Sequence, residues 1–365
     1  MLRRSVLVVV AVLATVLLAT AASAAVRPFA PPQTVAGGCN AASADAVTAA
    51  SGTVVGFATC QTPSAQAIRF FSRTAAGTVN PSEPTPFRGQ VLGVANDASA
   101  TYVLYFDVTQ IRIGKRTNFG TFSSRLVTGW SGGGSLPTGD VIARNGQWFG
   151  VWSVPVGPGG EFAQTELFYG GTGRPVQRLT TTAGNIDDSS PTLAYAGTIP
   201  VLIWTRTIAP AVPGQSNLMV SKFRGDSFWE PLRVFASNGF SNETPDMAIA
   251  GPFTYVTWTR DGGTMVASNA TGAFTSHRFL TPARGPKVAV STTAGSADHV
   301  FVSATATAAG QVWFAESATT GNVGGTWDGA FVAPSGTTTF GVGAFATKAT
   351  VVYGNATSVV AVSQA

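Results

Sequence analysis

Histidine is almost missing from this sequence: His277 and His299 are the only two among 365 residues. They fall in strand-like contexts of different repeats, which argues against a histidine metal site and against a Ser-His-Asp triad. No metal and no cofactor is expected. No glycine-rich phosphate loop opens a helix, and no complete calcium loop surrounds Asp187-Asp188. Charge is also scarce, at 11% Asp, Glu, Lys and Arg. The formal net charge is +5, but Arg3 and Arg4 supply two of those charges and no Lys/Arg cluster focuses the rest. Nucleic acid is therefore excluded as a partner. Long helical periodicities are lacking, and beyond residue 24 no apolar run is long enough to span a bilayer, so stable membrane insertion is not expected.

What is present begins with a leader. Arg3 and Arg4 precede the apolar run Val6 to Leu18, and Ala22-Ser23-Ala24 supplies a small-residue cleavage pattern. Residues 1–24 read as a secretory signal peptide, which predicts a secreted, extracellular protein, with cell-surface association as a variant. High Ala, Gly and Arg usage with little Lys points by association to a bacterial source. The remainder, 25–365, reads as a single all-β domain, since 45% of the residues are apolar and turn-forming residues punctuate the chain throughout.

A repeated phrase organises that domain. Pro191-Thr192-Leu193-Ala194-Tyr195-Ala196-Gly197 leads to Trp204-Thr205-Arg206, and Pro245-Asp246-Met247-Ala248-Ile249-Ala250-Gly251 leads to Trp258-Thr259-Arg260. The two copies lie 54 residues apart with the same internal spacing. A strand-rich period of this length reads as one blade of a β-propeller. Inner strands recur near Ala46–Ala50, Gln90–Ala95, Asp140–Arg144, Thr192–Ala196, Asp246–Ala250, Lys287–Ser291 and Thr338–Ala344. The expectation is seven blades of four antiparallel strands. Six is the alternative, because the first outer strand, near Pro84–Phe87, is poorly defined.

The chain stops one strand short of a complete last blade. Pro28 to Val35 resembles the outer-strand segment Ser227 to Val234, so the N-terminal strand is expected to pair with the C-terminal strands and close the ring. Cys39 and Cys60 are the only cysteines. Both fall on connections at one face of blade one, and in an exported protein a disulfide between them is expected, two separate thiols being the alternative.

The same face collects polar residues. The loops after the second strands bring Asp107, Arg206, Arg260 and Asp261. The loops entering the inner strands bring Arg88, Asp140, Asp187, Asp188, Asn242, Glu243, Asp246, Arg284 and Lys287. Of these, Asp107, Asp140, Asp187, Asp188, Arg206, Glu243, Asp246, Arg260, Asp261 and Arg284 form the candidate ligand-binding set at the channel mouth. Arginine forks suit carboxylates, and carboxylate pairs suit glycosidase chemistry. Trp152, Trp204 and Trp258 end equivalent strands and are expected to pack between blades.

Two segments carry a family resemblance. Ser317-Ala318-Thr319-Thr320-Gly321 runs on to Trp327, and Ser221-Lys222-Phe223-Arg224-Gly225 runs on to Trp229. They resemble the Asp-box repeat of sialidase-like (bacterial neuraminidase) propellers, although both lack the Asp. The resemblance implies a β-propeller and, if the activity came with it, exo-sialidase chemistry with an arginine triad around the substrate carboxylate. Arg206 and Arg260 would fill two places of that triad. Arg27-Pro28 and Arg174-Pro175 lack the Ile of the family's Arg-Ile-Pro segment, and no Tyr–Glu nucleophile pair can be nominated. The leading expectation is a non-enzymatic module, a monomer, that binds a glycan or an extracellular protein at its mouth. A sialidase-like glycoside hydrolase comes second and a cell-surface scaffold third.

Overall fold

The computed structural model describes residues 26–365 apart from 39, 63–64, 130–135, 157–163, 182–185, 209–215, 226–227, 230–232, 237–238, 270–273, 275, 293–296 and 307–309. The expected signal peptide and Cys39 therefore lie outside the described residues. Each repeat alternates small and aliphatic residues between Gly- and Asn-bearing turns, and each folds into strands. A first strand, β1 (Gln33–Gly37), precedes the sheets. Blade 1 comprises β2 (Asn40–Thr48), β3 (Val54–Thr62), β4 (Ala65–Arg73) and β5 (Val79–Arg88). Blade 2 comprises β6 (Gln90–Asn96), β7 (Ala100–Asp107), β8 (Gln110–Thr117) and β9 (Phe122–Gly129). Blade 3 comprises β10 (Thr138–Arg144), β11 (Gln147–Val156), β12 (Gln164–Gly171) and β13 (Arg174–Arg178).

Blade 4 comprises β14 (Ile186–Ala196), β15 (Ile199–Ile208) and β16 (Ser216–Arg224), with both β17 (Phe228–Trp229) and β18 (Arg233–Ala236) paired to β16. Blade 5 comprises β19 (Asn242–Ala250), β20 (Phe253–Arg260), β21 (Gly263–Ser268) and β22 (Ser276–Thr281). Blade 6 comprises β23 (Ala283–Thr292), β24 (Asp298–Ala306), β25 (Val312–Thr319) and β26 (Asp328–Phe331). Blade 7 comprises β27 (Thr338–Phe345), β28 (Lys348–Gly354) and β29 (Ser358–Ser363), and its sheet order is β1-β29-β28-β27. Gln33 and Thr34 stand opposite Ala361 and Val360 in an antiparallel register.

The inner strands β2, β6, β10, β14, β19, β23 and β27 each touch the next, and β27 touches β2 again. That is a ring of seven antiparallel sheets, so the six-bladed alternative falls. The outer strand that made the count ambiguous is β5, which pairs with β4 through two register shifts and carries Pro81, Pro84 and Pro86. An outermost strand leaves one edge of the ladder unused and so accommodates proline, which hides it from a sequence pattern.

Seven apolar clusters hold the ring together, each shared by two adjacent blades. Second strands are covered on both faces, so they read as unbroken apolar runs. In β7 every residue but the last is buried, and in β20 every residue but the first and last. Trp152, Trp204 and Trp258 are 0%, 0% and 1% exposed, and they occupy three different inter-blade clusters as expected. The phrase-ending Gly197 and Gly251 take φ of 63° and 52° in the turns between first and second strands, a region open to glycine without strain.

Candidate functional site

The proline of the repeat has a positional reason. In β14 the register with β15 shifts between Ser189 and Thr192, and in β19 it shifts between Glu243 and Asp246. Pro191 and Pro245 lie inside those bulges, directly after Ser190 and Thr244, which carry φ of 50° and 46°. The bulge uses no ladder bond from proline and re-aims the next residue. Gly285-Pro286 precedes Lys287 in the same way, at the shift between Arg284 and Lys287. The re-aimed residues Thr192, Asp246 and Lys287 join Asp45, Asp140 and Gly341 in lining the central channel, which encloses about 400 Å³.

The three channel aspartates lie on alternate blades and do one structural job. Asp45 Oδ2 accepts the Val94 N–H at 2.8 Å, Asp140 Oδ2 that of Leu193 at 2.7 Å, and Asp246 Oδ2 that of Val288 at 2.7 Å. Each therefore clasps the inner strand of the following blade: 1 to 2, 3 to 4, 5 to 6. Gly93, across from Asp140, leaves room for this arrangement, since a Cβ there would stand 2.8 Å from the Asp140 Cα.

Burial dominates the titration of this cluster. It pushes the Asp45 carboxyl up to about 6, with Lys287 and the Val94 N–H opposing. Asp140 is pushed up to about 7 by burial and by the nearby Asp45 and Asp246 carboxylates. Asp246 is also raised by burial, against the pull of Lys287. Lys287, whose ammonium is 3.9 Å from Asp246 Oδ1, loses from burial but gains more from the three carboxylates and stays protonated. A carboxylic acid that keeps its proton near neutrality can donate it, so the channel has one requirement of general acid chemistry.

Above the channel, blades 4 and 5 share a three-residue arrangement that the sequence reading missed. In blade 4, Asp188 accepts hydrogen bonds from Trp204 Nε1 and from Arg206 Nε and Nη2, all at 2.8 Å. Asp188 is 0% exposed, so this expected mouth residue is a buried counterion that fixes Arg206. In blade 5, Asn242 occupies the equivalent place, accepting from Trp258 Nε1 at 3.0 Å and Arg260 Nε at 3.2 Å. A neutral amide replaces the carboxylate there. No carboxylate lies within ion-pair distance of Arg260 among the described residues. Burial pulls the Arg260 guanidinium down and the adjacent Asp261 opposes it, but a guanidinium stays charged in either case.

Arg260 instead lies over aromatic rings: its Cζ is 5.0 Å from the Phe240 centroid and 5.8 Å from that of Trp258. Phe240 is 43% exposed, a large apolar ring left at the surface beside a cation. The rest of the candidate set divides. Asp261 and Glu243 are exposed and flank Ser241, which donates its N–H to Asp261 Oδ1 at 3.0 Å and its hydroxyl to Glu243 Oε1 at 3.1 Å. Exposed Arg284 passes over Gly262, where a Cβ would stand 3.5 Å from its guanidinium. These five residues, Phe240, Glu243, Arg260, Asp261 and Arg284, gather on the mouth side of blade 5. Asp187 lies apart in blade 4, accepting the Thr165 N–H at 2.8 Å, and half-buried Asp107 ends β7 in blade 2. Asp140 and Asp246 belong to the channel.

Sequence reasoning also missed Asp45, because the first inner strand was taken to begin at Ala46. An aspartate one place before an aliphatic inner strand, as in Asp140-Val141 and Asp246-Met247, was the available signal. Phe240 escaped because it lies in a connection outside the repeated phrase.

No protein-family model matches the chain, and no curated protein matches it. Solved structures do. The α-L-arabinofuranosidase Arb93A of Fusarium graminearum, solved with an iminosugar inhibitor, aligns at a TM-score of 0.55 and 10% identity over 92% of this chain and 97% of that one. The α-L-arabinanase of Penicillium chrysogenum, complexed with arabinobiose, aligns at 0.55 and 10% identity over 76% of this chain and 94% of that one. Trypanosoma rangeli sialidase aligns at 0.44 and 8% identity over 93% of this chain and 55% of that one. At such identities the likeness is one of fold, and the first two structures share that fold with this chain along most of their length.

Proposed function

We propose that this chain is a glycan-binding propeller whose ligand seats on the mouth side of blade 5. The observation that carries the reading is the pairing of an exposed ring, Phe240, with a guanidinium that has an amide where blade 4 has a carboxylate. A ring face packs against the C–H face of a sugar, and a fork with no carboxylate at ion-pair distance among the described residues grips a carboxylate or vicinal hydroxyls. Most other carboxylates expected at the mouth are already engaged: Asp188 by Trp204 and Arg206, Asp187 by Thr165, Asp140 and Asp246 by main-chain N–H groups. The arabinofuranosidase solved with an iminosugar inhibitor and the arabinanase solved with arabinobiose support a carbohydrate on this fold. Glycan-array binding by the folded protein should be saturable and should fall in Phe240→Ala and Arg260→Gln at unchanged melting temperature. Array signal that survives both substitutions overturns the seat, and absence of any glycan signal beside capture of a wall or matrix protein favours a scaffold.

A second reading, glycoside hydrolysis, has one observation of its own, the raised Asp140 carboxyl in the channel. It expects turnover of an arabinan or a fluorogenic sialoside that Asp140→Asn abolishes. No turnover on such a panel removes it.

A further inference from the structure

We propose that the groove between blades 3 and 4, on the face opposite the mouth, is a second binding site that takes a carboxylate-bearing saccharide. The proposal is independent of the mouth reading. The turns Asn145-Gly146 and Gly197-Thr198 between first and second strands of these blades, with the Thr172-Gly173 turn of blade 3, surround a cavity of about 440 Å³. Its walls include Arg144, Arg174, Trp148, Tyr195 and Phe223, and among the described residues no acidic side chain lines it.

The arginines are laid on aromatic faces. Arg174 Cζ is 4.8 Å from the Phe223 centroid, Arg144 Cζ is 6.0 Å from that of Tyr195, and Arg125 on neighbouring blade 2 is 5.9 Å from that of Trp148. Arg144 also crosses the seam to donate to the Gly197 carbonyl. Among the described residues, none of the three has a carboxylate within ion-pair distance. Nearby Asp97 is already engaged, its Oδ1 accepting the Ser99 and Ala100 N–H groups at 2.7 and 3.1 Å and its Oδ2 that of Gly146 at 2.7 Å.

The same face provides an internal contrast. The groove between blades 1 and 2 also has an arginine on an aromatic ring, Arg116 at 4.2 Å from the Phe70 centroid. There Glu83 closes the charge, accepting from Arg116 Nη2 at 2.6 Å and Nε at 3.0 Å. In the blade 3–4 groove two guanidiniums share one concavity with no such partner among the described residues. Like charges held together in a concave site are relieved by an anion, and a planar carboxylate matches the guanidinium fork. The volume suits one or two sugar rings, and half-buried Tyr195 provides a ring and a polar tip for them. A bare phosphate would use the charges and leave the Tyr195 ring without a role.

The test is isothermal titration of the full chain with digalacturonate, with uncharged cellobiose, inorganic phosphate and a single-stranded oligonucleotide as further probes. Digalacturonate should bind, cellobiose should not, and affinity should fall about tenfold or more in Arg174→Gln and in Arg144→Gln/Arg174→Gln. Arg260→Gln at the mouth should leave that affinity unchanged. If the double variant loses its fold because Arg144 spans the seam, Arg174→Gln, which gives up only a ring contact, still decides. The proposal is overturned if digalacturonate fails to bind the folded protein, or if the groove variants bind it as wild type does. It is overturned equally if Arg260→Gln abolishes the binding, or if phosphate or the oligonucleotide binds in the sugar's place.

Discussion

Trp152, Trp204 and Trp258 are repeat equivalents, but their indole N–H groups have different fates. Trp204 donates to Asp188 and Trp258 to Asn242, whereas Trp152 Nε1 is buried and finds no acceptor among the described residues. Continuing the register of Thr138 opposite Ser153 puts Pro137 where the other blades hold their acceptor. Trp→Phe at each site removes similar packing volume, so the difference between sites isolates the bond. Chemical denaturation should find W204F and W258F costlier than W152F by about 1–3 kcal/mol. Equal losses at all three would refute the account. The spacing of Trp-Thr-Arg was readable in the sequence. What separates Arg206 from Arg260 was not, because it depends on Asp188 against Asn242, three residues before the repeat proline. Those two belong to the arrangement only once strand pairing brings them beside the arginines.

Strands differ in how far a pattern reveals them, and burial explains the difference. Second and third strands are paired on both edges, and first strands pair on one edge and pack against the first strands of the adjacent blades around the channel, so their apolar runs and bounding turns stand out. Outer strands have a free edge and mixed exposure: β9 has only exposed or half-buried positions, and the blade 4 outer segment, read as one run from Ser227 to Val234, is described as two short strands, β17 and β18. The channel clasps are invisible to any single-strand pattern, since each joins an aspartate to an amide more than forty residues later. They make a sharp expectation for the element pair β19 and β23. Asp246→Ala removes the acceptor of the Val288 N–H, which then faces a buried site unpaired, at a cost of about 1–3 kcal/mol. Hydrogen exchange should accelerate at Val288 and its strand neighbours while protection at the blade 1–2 seam is retained. Unchanged exchange at Val288 would mean that the clasp does not hold the blades together. Gly93→Ala should loosen the blade 2–3 contact in the same assay, because its Cβ would collide with the backbone of Asp140.

Across the whole ring, two charge clusters oppose each other in pH. The channel carboxyls Asp45 and Asp140 have folded values of about 6 and about 7, above the ordinary 3.8 of an unfolded aspartate. Their contribution is complete in acid below that ordinary value and is lost as pH rises through about 6 and 7, since the folded state must then ionise a buried group or keep a proton the unfolded chain has released. The other cluster joins the segment before β1 to blades 6 and 7. Arg27 donates its N–H to Glu316 Oε1 at 3.2 Å and Nη2 to Oε2 at 2.9 Å, and Gln364 Nε2 reaches the same Oε2 at 2.9 Å. Burial alone would raise Glu316, but these hydrogen bonds and the Arg27 charge outweigh it and hold the carboxyl below its ordinary range. That contribution is present above the ordinary glutamate value and disappears as pH falls through the lowered one. Melting temperature should therefore peak in mildly acidic solution and decline on both sides. Asp140→Asn should flatten the decline toward neutrality without changing the acid limb. Glu316→Gln should lower the peak and flatten the acid limb, with faster proteolysis of the N-terminal segment at pH values where wild type resists. A melting temperature that climbs steadily from mild acid to pH 8 would show that the channel carboxyls are ordinary, ionised surface groups and that the clasps do not bury them.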